Sequence, residues 1–154
     1  MDLQHLKGEL IYLSSPYTHE NPFVRSQRFL ESARACAWIL TKLRLVVFGA
    51  IAYAESFNSY KLPMEWEFWA DFDTVYISGS KEVWVLCLPG YTNSMGVTTE
   101  VKIARELGRK VVYVIPNHHD DQDDYILSEE DPGEGKLYGK VEPGRLGHPP
   151  FRAE

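Results

Sequence analysis

The chain has 154 residues, 44% hydrophobic and 25% charged, which suits one domain with enough apolar material for a core that needs no disulfide or metal staple. Its net charge of −6 is unevenly placed: residues 1–115 hold 12 acidic and 12 basic side chains, and residues 116–154 hold 10 and 4. A neutral body with an acidic tail argues against a long nucleic-acid partner, which needs a cationic surface, and leaves room for a small phosphorylated ligand at a local anion site.

The N-terminus, Met1-Asp2-Leu3-Gln4-His5, has no basic region followed by an apolar run, and no apolar stretch reaches transmembrane length. The expectation is a cytoplasmic protein without a membrane partner. Leu10-Ile11-Tyr12-Leu13, ending at Ser14-Ser15-Pro16, predicts a buried strand stopped by a loop. From Pro22 to about Lys42 the pattern turns helical, with Phe29, Ala33, Cys36 and Leu40 on one face. Leu45-Val46-Val47-Phe48 predicts a second strand ended by Gly49, and residues 50–62 are expected to be irregular. A helix starts after Pro63, carries Trp66, Trp69 and Ile77, and fades near Gly79. Glu82 to Leu88 predicts a third strand, apolar on both faces. A helix running through Val101 to Leu107 stops at Gly108, and Lys110 to Ile115 predicts a fourth strand. Cys36 and Cys87 fall in apolar segments and are expected to be buried thiols.

Strands apolar on both faces that alternate with helices predict a flavodoxin-like or Rossmann-like doubly wound parallel sheet in three α/β/α layers. The loop after the first strand lacks G-x-G-x-x-G, which argues against a nicotinamide-dependent dehydrogenase, and no cofactor is expected. Five of the nine prolines and five of the eleven glycines lie in residues 116–154. The division is therefore a domain over 1–115 and an acidic Pro/Gly-rich tail over 116–154, loosely ordered or wrapped on a partner subunit and dispensable for the chemistry.

In such a sheet, ligands bind beyond the carboxyl ends of the strands. The loops Ser14–Asn21, Gly49–Phe57 and Pro89–Gly96 leave that edge, so their polar residues are expected to share a cleft. In the third loop, Ser94 and the amides around Gly96 stand at a helix N-terminus, which favours an anion, and glycine lets the backbone approach it closely. Glu100 lies one turn further in. On pattern alone, Ser94 as a plain helix cap and Glu100 as a favourable first-turn acid are equally good readings. Asp73 stands among Trp66, Phe68, Trp69 and Phe72. Glu65 and Glu67 fit either a solvated helix face or the cleft. Tyr17 suits base stacking or packing on the sheet edge, and His19 suits a ligand contact or a turn. His118-His119-Asp120-Asp121 contains ligand-type residues without a metal-binding spacing, and no metal site is expected.

Three stretches carry a resemblance: Ile11-Tyr12-Leu13-Ser14-Ser15-Pro16-Tyr17-Thr18-His19, Trp66-Glu67-Phe68-Trp69, and Trp84-Val85-Leu86-Cys87-Leu88-Pro89-Gly90-Tyr91. Together they resemble a bacterial and phage family, the DUF1937 domain, over roughly residues 8–115. That family is similar to the nucleoside 2-deoxyribosyltransferases and the 2′-deoxynucleoside 5′-monophosphate N-hydrolases. Ser94-x-Gly96-Val97-x-x-Glu100 resembles the S-x-G-V-x-x-E of the hydrolases, in which serine and glycine bind the 5′-phosphate and the glutamate is catalytic. Asp73 matches the aspartate of the helix before the third strand, and Tyr12 a tyrosine near the end of the first. The first loop departs from the pattern: the hydrolases carry glycine where this chain has Ser14-Ser15-Pro16-Tyr17.

The resemblance implies Glu100, Asp73 and Tyr12 as catalytic residues. It implies substrate contacts from Ser14, Ser15, Tyr17, His19, Trp66, Glu67, Asn93, Ser94 and Gly96. The expected activity is cleavage of the N-glycosidic bond of a (deoxy)nucleoside 5′-monophosphate, or base transfer between deoxynucleosides, in a homo-oligomer of two or more subunits. The alternatives are a glycohydrolase acting on NAD or an ADP-ribose derivative, and a non-catalytic nucleotide sensor that keeps the pocket. Two carboxylates suit the chemistry. Breaking C1′–N develops positive charge on the sugar, which one carboxylate stabilises or attacks, while the departing base needs a proton from a second acid.

Overall fold

A computed structural model of the chain describes residues 1–63, 65–119 and 122–134. Within them the apolar runs become one five-stranded sheet: β1 (Leu10–Ser14), β2 (Val46–Gly49), β3 (Glu82–Leu86), β4 (Lys110–Pro116) and β5 (Tyr125–Ser128), in the order β2-β1-β3-β4-β5. The first four are parallel, and β5 adds antiparallel to β4. The helices are α1 (Pro22–Trp38), α2 (Ala50–Ala54), α3 (Trp66–Ser78) and α4 (Met95–Glu106). This is the flavodoxin-like doubly wound fold that the alternating pattern predicts. No helix among the described residues is long and apolar enough to cross a membrane.

Every residue of β3 is buried, as a central parallel strand covered on both faces requires. On one face, Leu13, Trp84, Leu86 and Val112 pack with Ala35, Trp38 and Ile39; on the other, Tyr12 and Val83 meet Ile77 and Ala104. Edge strand β2 leaves Val46 half exposed. Both cysteines are free; burial pushes the Cys36 thiol to about 11 and the Cys87 thiol to about 12.

Four details depart from the sequence expectation. The buried face of α1 is Glu31, Ser32, Ala35 and Trp38, whereas Leu40 is half exposed in a π-helical turn over Ile39–Leu43. Two polar residues on that face hide it from a hydrophobicity pattern. The strand starting at Glu82 ends at Leu86, two residues early. Residues 50–60 are helical, as α2 followed by a 3-10 segment Glu55–Tyr60. The fold also does not stop at residue 115: β5 extends the sheet, and Tyr125 packs into the core with its ring centroid 5.0 Å from that of Trp38. Residues 122–134 of the acidic segment are thus part of the packed body. Residues 135–154, on which the rest of the tail expectation falls, and Asp120 and Asp121 of the histidine-acid run lie outside the described residues.

Candidate functional site

Strand order reverses between β1 and β3, because β2 lies outward of β1 while β4 lies outward of β3. The crevice at that switch point is where a doubly wound sheet offers its loops to a ligand. β1 delivers Tyr12 and Ser14 there. α3 and α4, packed against each other over the same face, deliver Asp73 and Glu100.

Tyr12 is fully buried, and its hydroxyl donates a 3.0 Å hydrogen bond to Asp73 Oδ1. Burial, with the charges of Glu100 and Asp73 behind it, holds the Tyr12 phenol well above its ordinary range, so it serves as a donor. Glu100 is 7% exposed. Burial and then the neighbouring Asp73 charge hold its carboxyl well above the usual range, while the Ser14 and Tyr12 hydroxyls pull the other way. Burial also raises Asp73, and bonds from Tyr12 and Glu100 oppose that rise. Both carboxyls are therefore harder to ionise than free ones, and the Asp73 charge further disfavours that of Glu100.

The pair lies in the wall of a cavity of about 510 Å³, large enough for a drug-sized ligand. Trp66, Trp69 and Phe72 of α3 form an aromatic side, with Ile51 and Ala54 of α2 and Leu62 completing it. Trp69 is fixed by donating its Nε1–H to the Pro63 carbonyl at 2.8 Å. Asn93, Ser94, Met95 and Gly96 also line the cavity. Ser94 caps α4, its Oγ accepting from Val97 N–H at 3.3 Å. Among the described residues the amides of Met95 and Gly96, next in line at this helix start, have no hydrogen-bond acceptor. A Cβ at Gly96 would find only Ser94 Oγ, at 3.9 Å, so the protein itself leaves the space over that amide open. Free amides, open space and the helix dipole together favour negative charge at this helix start.

Several polar atoms around the cavity are buried without partners: Ser14 Oγ, Ser15 Oγ, Trp66 Nε1 and Glu100 Oε2. Each such atom costs about 1–3 kcal/mol unless something bonds to it. These four atoms are open to hydrogen bonds from a ligand in the cavity.

Of the residues singled out by sequence, Ser15, Tyr17, Trp66, Glu67, Asp73, Asn93, Ser94, Gly96 and Glu100 line the cavity together. Tyr12 and Ser14 sit behind the lining, Tyr12 acting through Asp73. His19 does not line it; its Nδ1 accepts from the Asn21 amide at the turn into α1. The sequence reading missed Asn58, whose amide nitrogen donates at 2.7 Å to the Tyr17 hydroxyl, while that hydroxyl donates to Glu55. It also missed Arg28. The Arg28 guanidinium bonds the carbonyls of Thr18 at 2.9 Å and Pro89 at 3.1 Å, tying the first loop to the third. Gly90, in the left-handed region at φ 91°, leaves room for it: a Cβ there would stand 2.6 Å from Arg28 Nη2. Among the described residues no group of three His, Cys, Asp or Glu side chains is arranged to hold a metal ion.

Fold and site together define a flavodoxin-like protein with a carboxyl pair lining a partly aromatic cleft. The chain matches the family model described as a domain of unknown function (DUF1937) over residues 9–115, and it belongs to that family. No curated protein matches it.

Proposed function

We propose that the protein cleaves the N-glycosidic bond of a (deoxy)nucleoside 5′-monophosphate through Glu100. The observation that carries this reading is the buried carboxyl pair Asp73–Glu100, both raised above the ordinary range, in a cavity with an aromatic side and a free helix N-terminus. The base lies against Trp66 and Trp69, the phosphate takes the amides of Met95 and Gly96 with the Ser94 hydroxyl, and C1′ falls between, at Glu100.

As the C1′–N bond lengthens, positive charge grows on the sugar and favours ionised Glu100. The proton that Glu100 holds in the free site passes to Asp73 and on to the departing base, which keeps the electron pair of the broken bond. Glu100 attacks C1′ to form a covalent sugar ester, as retaining glycosidases do. Water then displaces Glu100; another base as acceptor makes the same chemistry a transfer. Tyr12 keeps Asp73 in place throughout.

The test is incubation with the common nucleosides and nucleotides, with free base read by chromatography. Base should appear from 5′-monophosphates with wild-type protein and fall roughly 10³-fold or more with a folded Glu100→Gln variant. Release of no base from any compound, or undiminished release by Glu100→Gln, overturns the proposal.

A further inference from the structure

The loops after β1 and β3 both line the cavity, so their position relative to each other decides which ligand fits. The first contributes Ser15, Tyr17 and Thr18, and the third contributes Asn93, Ser94, Met95 and Gly96. Each loop has anchors of its own. Arg25 of α1 donates to the His19 and Glu20 carbonyls of the first loop, and Tyr17 bonds Glu55 and Asn58 of the 3-10 segment. The third loop is held by Asp131 at the Tyr91 hydroxyl and by Glu134 at the Thr92 amide and hydroxyl. None of these anchors fixes one loop against the other.

Arg28 makes that link. Its Nη1 donates to the Thr18 carbonyl at 2.9 Å and to that of Tyr17 at 3.4 Å, while Nη2 donates to the Pro89 carbonyl at 3.1 Å. Among the described residues no other hydrogen bond joins the first loop to the third. Arg28 does not itself line the cavity. All three acceptors belong to the backbone, so the guanidinium holds the course of the chain. Two nitrogens in one rigid plane set a spacing that a lysine ammonium, a single point on a flexible stem, does not reproduce. The third loop is shaped to receive this group. Gly90 stands at φ 91°, and a Cβ there would come 2.6 Å from Nη2. The contact also has a cost: burial works against the Arg28 charge, with the Glu134 carboxylate opposing that effect.

We infer that Arg28 is a positioning residue: its guanidinium sets the separation of the two loops, so that a ligand long enough to meet both finds their polar groups already in register. This rests on reading the cavity as the substrate site of the proposed reaction. In that reading a nucleoside 5′-monophosphate places its phosphate on the third loop and its nucleoside part within reach of the first. Groups held at the right spacing spare the ligand the cost of ordering loose loops. Without Arg28 each loop keeps its own anchors, so the fold survives and the register is lost.

The test is nucleotide affinity in Arg28→Lys and Arg28→Gln, each in the full chain carrying Glu100→Gln so that no ligand is consumed. Arg28→Lys keeps the charge, and Arg28→Gln keeps a planar group without it. Isothermal titration calorimetry with the common ribo- and deoxyribonucleoside 5′-monophosphates identifies the tightest ligand of the Glu100→Gln parent, and each variant is titrated with that nucleotide. Affinity should fall about fivefold or more in both variants, with the circular dichroism spectrum unchanged. A residue that only stabilises the fold leaves the affinity of folded protein where it was, and one that acts by charge alone is replaced by lysine. A smaller loss in either folded variant therefore overturns the inference, as does loss of the folded spectrum in both, or a parent that binds none of the nucleotides. If one variant fails to fold, the other decides. Base release in the chromatographic assay with unchanged affinities keeps the catalytic reading and removes this one. Affinity losses without base release from any compound do the reverse.

Discussion

Ionising Glu100 in the free protein costs stability, because its carboxyl is buried and Oε2 has no partner. A raised carboxyl pKa means that the folded chain holds a proton the unfolded chain has released. Stability then falls as pH climbs from the unfolded carboxylate range through the folded pKa. Glu100→Gln removes that loss. The variant should therefore be more stable than wild type, by roughly 1–3 kcal/mol near pH 8 and by much less near pH 4, in urea denaturation at both values. An equal stability gain at the two pH values would show that charge is not its cause. Asp73 differs, since Tyr12 already bonds it. Asp73→Asn should lower kcat by about 10²–10⁴ while leaving KM within a few-fold, because protonating the base matters chiefly in the transition state. An unchanged kcat would leave Asp73 a purely structural partner of Tyr12.

Among the elements, α4 presents at one end both the Ser94 cap and two amides without an acceptor among the described residues. Ser94 Oγ accepts from Val97 N–H, and its own hydroxyl proton stays available to a phosphate. Ser94→Ala should cost about 1 kcal/mol of stability as a lost cap. It should also reduce kcat/KM for a 5′-monophosphate about tenfold while leaving the free nucleoside nearly unaffected. Equal losses on both substrates would assign Ser94 to the cap alone. The cap was legible in the sequence, because a strand end, a serine and a helix start follow one another between Leu88 and Glu100. So were the parallel strands, whose apolar runs cover both faces. The face of α1 was not legible. Glu31 and Ser32 are buried polar residues, Glu31 held at 2.9 Å by Arg34, and a pattern counting apolar side chains points to the next stripe, ending at the exposed Leu40. Arg28 escaped for a related reason: its partners are backbone carbonyls of two distant loops, which no side-chain pattern encodes.

For the whole molecule, the question is where the folded body ends. The family match stops at residue 115, and composition changes to acidic and Pro/Gly-rich at 116. Yet Tyr125-Ile126-Leu127-Ser128 pairs with β4 from Tyr113 to Pro116, and beyond it Asp131 accepts from the Tyr91 hydroxyl while Glu134 accepts from the Thr92 amide and hydroxyl. This segment thus closes the sheet edge and braces the loop that leads into Ser94. Its four-residue strand was invisible in sequence because Asp123-Asp124 and Glu129-Glu130 flank it and their charge dominates any window that contains it. Tyr125 decides the matter. Its ring is buried against Trp38 and His118, while its hydroxyl is buried without a partner. Tyr125→Ala should destabilise the chain by about 3–5 kcal/mol, the cost of emptying an aromatic core site. Tyr125→Phe should be neutral or stabilising by up to about 1 kcal/mol, since it deletes only an unsatisfied polar atom. If both variants melted in urea with the wild-type midpoint, the strand would be peripheral and the body would end at Pro116. A large loss in Tyr125→Ala with none in Tyr125→Phe places the boundary beyond β5, and any truncation used to study the cleft then has to keep the chain at least through Glu134.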